Sequence, residues 1–96
     1  MKITWSPIAV EQVRDIVSYI ALDKPSAAEK WAEKIFYSVE RLIDFPDSGR
    51  IVPEIHRNEI REIVQGNYRI IYKVEEKEIL ILIVKNYRQI LKPEEI

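Results

Sequence analysis

Three apolar segments of strand length, separated by two short polar turns, constrain the fold more than any other feature of this sequence. Each segment is rich in Ile, Val and Tyr, which favour strands, and is bounded by turn-forming residues. The segments are Glu59–Val64, Tyr68–Val74 and Ile79–Lys85, with the turns Gln65-Gly66-Asn67 and Glu75–Glu78 between them. Because such short turns join neighbouring antiparallel strands, the pattern predicts a three-stranded meander.

The N-terminal segment predicts a short strand followed by a helix. Met1–Trp5 alternates and is β-prone, so we expect it to join the sheet. Ser6 then matches a helix N-cap, and Pro7 matches the first helical position, where a missing N–H has no effect. Apolar residues recur at helical spacing through about Leu22, namely Val10, Val13, Ile16, Val17 and Ile20.

A second helical pattern follows at once. The link Asp23-Lys24-Pro25 interrupts the first helix, and Phe45-Pro46 ends the second. One face of the second helix carries Ala28, Trp31, Ala32, Ile35, Val39, Leu42 and Ile43. Two helices joined so closely should form an antiparallel hairpin. The fold class predicted is therefore α+β, with an N-terminal helical hairpin on one face of a three- to four-stranded antiparallel sheet, in one domain over residues 1–96.

Composition excludes several classes of function. The formal net charge of −1 gives no overall attraction to nucleic acid or to an anionic membrane. With no cysteine and only His56, a zinc site of the usual kind cannot form, and we expect neither a metal nor a cofactor. The N-terminus lacks the apolar region of a signal peptide, and the longest apolar run, Ile79–Val84, is too short to span a membrane. We expect a cytoplasmic protein.

Strand parity divides the meander into two faces. With turns centred on Gly66-Asn67 and on Glu76-Lys77, alternation predicts a helix-facing side and an opposite side. The first carries Ile63, Tyr68, Ile70, Tyr72, Val74, Ile79, Ile81 and Ile83; the second carries Glu62, Arg69, Ile71, Lys73, Leu80, Leu82, Val84 and Asn86, with Arg88 in phase. A chain this short should have no third layer. Leu80, Leu82 and Val84 would then form an exposed apolar strip, which is typical of a partner-binding surface.

The same side collects the residues best suited to chemistry. They are Arg61, Arg69, Lys73, Lys85, Tyr87 and Arg88, with Glu62 nearby. Arginine can grip phosphate and stabilise a developing phosphorane, tyrosine can stack on a base, and glutamate can act as a general base. This set is sufficient for metal-free RNA cleavage by a 2′-hydroxyl. Alternatively, these are strand-end charges that pair with Glu59 and Glu62.

The order of these elements and several short motifs resemble the RelE/ParE superfamily of toxins from type II toxin–antitoxin modules. The resemblance covers nearly the whole chain. It rests on Trp5-Ser6-Pro7 with Ala9, Tyr19-Ile20-Ala21, Pro25 with Ala27-Ala28, Leu42, Phe45-Pro46, Gly49-Arg50, Arg61-Glu62-Ile63, Tyr68-Arg69-Ile70-Ile71-Tyr72 and Arg88. It implies the same fold, a role in growth inhibition and plasmid stabilisation, and a cognate antitoxin that lies along the open sheet face.

Two activities occur within this superfamily. RelE-like members cut messenger RNA on the ribosome, and the resemblance matches Arg69 and Arg88 to their arginines, with Tyr87 and Glu62 as assisting residues. Their paired lysines would fall near Ile60 and Glu62 and are absent, and a terminal His-Tyr pair is replaced by Asn86-Tyr87. ParE-like members inhibit DNA gyrase through protein contacts, and the hairpin and loop motifs resemble this branch more closely.

We therefore interpret the chain as a ParE-like toxin without chemistry of its own. The surface expected to bind the antitoxin and the gyrase target comprises Arg61, Arg69, Lys73, Leu80, Leu82, Val84, Lys85, Asn86 and Arg88. Two alternatives stay open: a ribosome-dependent ribonuclease that uses Arg69, Arg88, Tyr87 and Glu62, and a module that binds an antitoxin but has lost toxicity.

Overall fold

The helices come first along the chain and the sheet second, with one early strand completing the sheet. The computed structural model describes all of residues 1–96. The elements in order are β1 (Lys2–Trp5), α1 (Pro7–Asp23), α2 (Pro25–Glu40), β2 (Arg50–Ile51), β3 (Ile60–Gln65), β4 (Tyr68–Val74) and β5 (Glu78–Asn86). Short 3₁₀ turns lie at Arg41–Ile43, after α2, and at Pro93–Glu95 near the C-terminus.

The sheet has five strands in the order β1-β5-β4-β3-β2. Strands β2 to β5 are antiparallel, whereas β1 lies parallel to β5 at one edge. The predicted fold class is confirmed, because a helical hairpin packs against one face of a largely antiparallel sheet. The strand count is higher than predicted, since two residues of the expected loop Asp47–Arg57 pair with β3 as β2.

Both helices begin where the sequence predicts. The Ala9 amide donates to the Ser6 Oγ at 3.0 Å, and the Ser6 Oγ donates to the Leu82 carbonyl at 2.8 Å, so this cap also joins α1 to β5. Pro7 and Pro25 occupy the first helical positions, where their missing N–H groups have no partner to lose. The second helix ends at Glu40, earlier than predicted, because the chain tightens into the 3₁₀ turn before Phe45-Pro46.

The main core lies between the helical hairpin and the sheet. Its buried members are Ala9, Val13, Ile35, Val39, Leu42, Ile70, Tyr72, Ile79, Ile81 and Val84. Trp5 meets Phe36 edge-on with ring centroids 5.5 Å apart, and Trp31 meets Tyr68 in the same way at 5.2 Å. Apolar burial of this kind supplies most of the driving force for folding.

A β-bulge at Leu82 overturns part of the predicted face assignment. The pairs Tyr72–Ile81 and Ile71–Ile83 are consecutive along β4 but skip one residue of β5. An extra residue reverses the parity of everything that follows it. Val84 therefore lies in the main core, and Ile83 lies on the opposite side. Asn86 pairs with Tyr68 on the helix side, so the predicted face is reversed for all three residues.

The prediction that the opposite side of the sheet has no covering layer is wrong. The loop between β2 and β3 and the C-terminal segment fold across this side, called here the outer face. Together with the sheet they form a second buried cluster of Val52, Ile60, Ile71, Ile83 and Leu91, with Ile55 and Leu82 packed against it. The expected exposed strip is consequently reduced to Leu80 and Leu82, both only half-buried.

Candidate functional site

Arg69 is the centre of a buried ionic network on the outer face. Its Nε donates to the Glu62 Oε1 at 2.6 Å, and its two terminal nitrogens donate to the Glu54 carboxylate at 2.8 and 2.9 Å. The Nη1 also donates to the Gln89 carbonyl at 3.0 Å. Only 4% of the residue is exposed. In this conformation the guanidinium is directed at protein acceptors and is closed to a phosphate in solvent.

Glu62 is enclosed more completely than Arg69. The residue is 1% exposed, and its second carboxylate oxygen accepts from the Arg50 Nε at 2.6 Å. Arg50 approaches from solvent, since 66% of its side chain is exposed. Both oxygens of Glu62 are thus engaged by arginines, and neither can reach a substrate hydroxyl. The alternative reading of paired strand-end charges holds for Glu62, while Glu59 pairs with Arg57 in the exposed loop.

Glu54 is the member of the network that sequence reasoning missed. It lies in the loop between β2 and β3, and its Oε2 accepts from the Leu91 amide at 2.9 Å as well as from Arg69. The hydrogen bonds from Arg69, reinforced by the Leu91 amide, lower the pKa of the Glu54 carboxyl from 4.5 to about 2. The two glutamates in turn raise the pKa of Arg69, so the guanidinium stays charged.

The depressed pKa of Glu54 predicts an acid-sensitive contribution to stability. A carboxyl whose pKa is lower in the folded state stabilises the fold above its unfolded pKa, and this contribution disappears as the pH falls from about 4.5 to about 2. The expected size is on the order of 2–3 kcal/mol. Urea unfolding of wild type and Glu54→Gln should show a stability difference at pH 6 that falls to about half by about pH 3 and disappears only as the pH approaches about 2. A difference independent of pH would contradict this assignment.

Tyr87 and Arg88 lie outside the network. The Arg88 guanidinium stacks over the Tyr87 ring at 5.5 Å from the centroid, and its Nε donates to the tyrosine oxygen at 3.2 Å. The Arg88 amide donates to the Asn86 side-chain oxygen at 2.9 Å, which fixes the turn after β5. Both side chains are exposed. The structure therefore separates the four residues of the ribonuclease reading into a buried pair, Arg69 and Glu62, and an exposed pair.

The remaining predicted contact residues are dispersed. Lys73 lies 3.6 Å from Glu75, and Lys85 pairs with Glu95 at 2.7 Å, so each has a carboxylate partner. Arg61 donates to the Gly49 carbonyl and to the Asn58 side chain, both at 2.9 Å, and thereby holds the loop before β2. Val84 lies in the main core and is closed to any partner in this conformation.

The helical hairpin carries apolar surface that the sequence reading assigned to no function. Tyr19 is 72% exposed, and Leu22 at the hairpin tip is 87% exposed. A separate groove of about 340 Å³ lies where α1 meets α2, and it is lined by Trp5, Val10, Val13, Arg14 and Phe36. The sequence did contain a signal for this surface: the two helices carry more large apolar residues than one buried face of each helix can hold. Such surfaces are typical of protein contacts.

The side chains present no arrangement suited to a metal. No group of three or more His, Asp or Glu residues converges in the structure. Neither helix has the length and apolar character needed to cross a membrane.

Comparison with known proteins identifies a family. Residues 3–91 match the family described as "ParE toxin of type II toxin-antitoxin system, parDE". A solved structure, "Chromosomal ParDE TA system from P. aeruginosa", is similar with a TM-score of 0.72 and 24% sequence identity. The similarity covers 90% of this chain and 95% of that chain, and it shows a shared fold. No curated protein matches the chain at a significant level.

Proposed function

Because the chain belongs to the ParE toxin family of type II toxin–antitoxin systems, we propose that it arrests growth by inhibiting DNA gyrase through protein contacts. Family membership makes the chain the toxin component of such a system and implies a cognate antitoxin as its partner. The proposal concerns the cellular target and the way in which this toxin acts on it.

The proposal rests on one observation: Arg69 and Glu62, the two buried residues that a ribonuclease would use for catalysis, are already engaged by other groups of the protein. A general base needs an oxygen within reach of the proton that it removes, and a phosphate-binding arginine needs free donors. Both Glu62 oxygens accept from arginines, and Arg69 donates to Glu54, Glu62 and Gln89. This pairing favours inhibition by contact over cleavage.

Two exposed regions are suited to protein contacts. The hairpin offers Tyr19, Leu22, Phe36 and Tyr37, and the segment after β5 offers Tyr87 with Arg88. Aromatic residues and arginine are the side chains enriched in interface hot spots. On the outer face, half-buried Leu80 and Leu82 with Lys73 and Lys85 remain the proposed contact of the antitoxin.

The ribonuclease reading remains the second candidate because of one observation. Arg88 and Tyr87 are exposed and stacked together, which would allow contact with a phosphate and with a base. This reading needs Arg88 and Tyr87 to act without the buried pair, or the network around Arg69 to open on the ribosome.

Pulse labelling after induced expression in a growing bacterium without the antitoxin tests the target. We expect DNA synthesis to stop before protein synthesis, and the purified toxin to block supercoiling by gyrase in vitro. Co-expression of the cognate antitoxin is the control and should restore growth. If translation stops first and ribosome-bound RNA is cleaved, the ribonuclease reading replaces the proposal. If neither synthesis stops although the protein is folded, the chain binds its antitoxin without poisoning that host.

A further inference from the structure

The C-terminal segment 87–96, called here the strap, crosses the outer face and is held there at a small number of points. The Leu91 amide donates to Glu54 at 2.9 Å, and the Gln89 carbonyl accepts from Arg69 at 3.0 Å. The Leu91 side chain is 1% exposed. Lys85 and Glu95 form the last anchor at 2.7 Å. Around these points the strap is open, since Tyr87, Arg88, Gln89 and Ile90 are all exposed.

The contacts of the strap are those of a bound peptide. Extended peptides are recognised through main-chain hydrogen bonds, which give affinity, and through a pocket for one side chain, which gives specificity. Here one carbonyl, one amide two residues later and one leucine side chain are gripped together. The gripping residues form the tail site, which comprises Val52, Glu54, Ile60, Arg69, Ile71 and Ile83.

The charged members of the tail site face opposite poles of the peptide backbone. Arg69 is a cation directed at a carbonyl oxygen, and Glu54 is an anion directed at an amide. Charge-assisted hydrogen bonds of this type are stronger and more directional than neutral ones. Because Arg69 and Glu54 also bind each other, the polar part of the site is organised by contacts within the body of the protein.

We infer that the outer face carries a peptide-binding site, which the chain's own C-terminal segment fills in cis. The ligand class is an extended segment that carries a leucine-sized residue. The amide of that residue reaches Glu54, and the carbonyl of the residue two positions before it reaches Arg69. The strap opens locally, and its opening exposes the tail site to such a segment in trans. This inference is independent of the cellular target.

We expect the strap to open locally because it is held at a few points and is exposed between them. Segments with few buried apolar contacts and solvent-exposed backbone open at lower free energy than central strands. The strap buries one side chain, Leu91, whereas Arg69 to Tyr72 of β4 are all buried between neighbouring strands. Tethering gives the strap a high effective concentration at the tail site, so it stays mostly closed.

Hydrogen exchange on the intact protein provides the first test. The Leu91 amide should be protected by Glu54, yet exchange at least about tenfold faster than the slowest amides of β4. Its opening should also depend weakly on denaturant, as expected for a local event. If the Leu91 amide exchanges only with global unfolding, at the free energy of the β4 amides, the strap is an inseparable part of the fold and the inference is overturned.

Binding in trans provides the second test. Leu91→Ala in the full chain should raise the open population by about 30-fold or more, the fold-change expected for truncating a buried leucine. A synthetic peptide of residues 86–96 should then bind this variant, if folded by circular dichroism, more tightly than wild type. A peptide with Leu91→Ala should not bind, whereas one with Ile90→Ala should, because Ile90 is 74% exposed. Absence of peptide binding to the folded variant would refute the inference.

Discussion

Arg69→Met should lower the free energy of unfolding by about 3–5 kcal/mol, the usual loss when one partner of a buried ion pair is removed. The substitution leaves Glu62, 1% exposed, with Arg50 as its remaining cation. It also removes the two Arg69 donors to Glu54, which keeps the Leu91 amide as a donor. Urea denaturation at neutral pH measures the change. A loss below about 1 kcal/mol would show that Arg69 behaves as a surface arginine.

Arg50→Met is the matched control, because Arg50 and Arg69 bind the two oxygens of the same carboxylate at the same distance, 2.6 Å. The Arg50 side chain is 66% exposed, so water can replace part of what it supplies. We expect a loss of about 1 kcal/mol. Equal losses for the two variants would contradict the burial difference on which the structural role of Arg69 rests.

The combination Arg69→Met with Glu62→Leu separates stability from function. Replacing a buried ion pair with apolar residues of similar volume is often neutral or stabilising, so the double variant should recover the stability that Arg69→Met loses at the unpaired Glu62, while the loss at Glu54 persists. If toxicity returns together with stability, the pair supports the fold and the toxin acts through its surface. If stability returns but toxicity does not, Arg69 or Glu62 takes part in the action of the toxin.

The order of β3, β4 and β5 and the first half of the β4–β5 register were predictable because short turns leave little freedom. Gly66 has φ of 60°, which glycine adopts without strain at the first central position of a tight turn, and Gln65 pairs with Tyr68 as predicted. Val74 likewise pairs with Ile79 across the turn centred on Glu76-Lys77. In both places local chemistry alone decides the geometry.

The bulge at Leu82 was not predictable, because the sequence around it carries no parity signal. Ile79–Val84 is apolar at every position, so a shift by one residue still buries an apolar side chain on each face. Alternation of polar and apolar residues normally fixes the register, and here it is missing. The choice depends on contacts with distant elements, such as the hydrogen bond from the Val84 amide to the Gln12 side chain at 2.8 Å.

The burial of Arg69 was missed for a related reason. Its carboxylate partner Glu54 is in a loop without periodicity, and the covering Leu91 is in a short tail. No local pattern connects these three segments, which meet only in the folded chain. An arginine in a strand is usually exposed, so we expected Arg69 to be part of a surface site. The alternating strand pattern did place Arg69 and Glu62 on the same face, and this part of the prediction is confirmed by their 2.6 Å contact.

Gly49→Ala should destabilise the protein by about 2–4 kcal/mol, through overpacking and the loss of a buried hydrogen bond. A Cβ at this position would lie 2.5 Å from the Glu62 carbonyl oxygen and 2.6 Å from the Tyr72 hydroxyl oxygen. The Gly49 amide donates to that hydroxyl at 3.0 Å, and the hydroxyl donates to the Pro46 carbonyl at 2.7 Å. The new methyl group would push the loop from its anchor. Thermal or urea unfolding measures the effect.

Gly66→Ala is the control: it adds the same methyl group, but the destabilisation it causes has a different origin. Nothing lies within 4 Å of a Cβ at Gly66, so only its positive φ opposes alanine. The expected loss is about 1–2 kcal/mol. Tyr72→Phe removes the hydroxyl oxygen, one of the three atoms that lie within 3.0 Å of the Cβ added in Gly49→Ala. The destabilisation caused by Tyr72→Phe should therefore be smaller in the Gly49→Ala background than in wild type. Strict additivity would mean that the loop before β2 is not held on the Tyr72 hydroxyl.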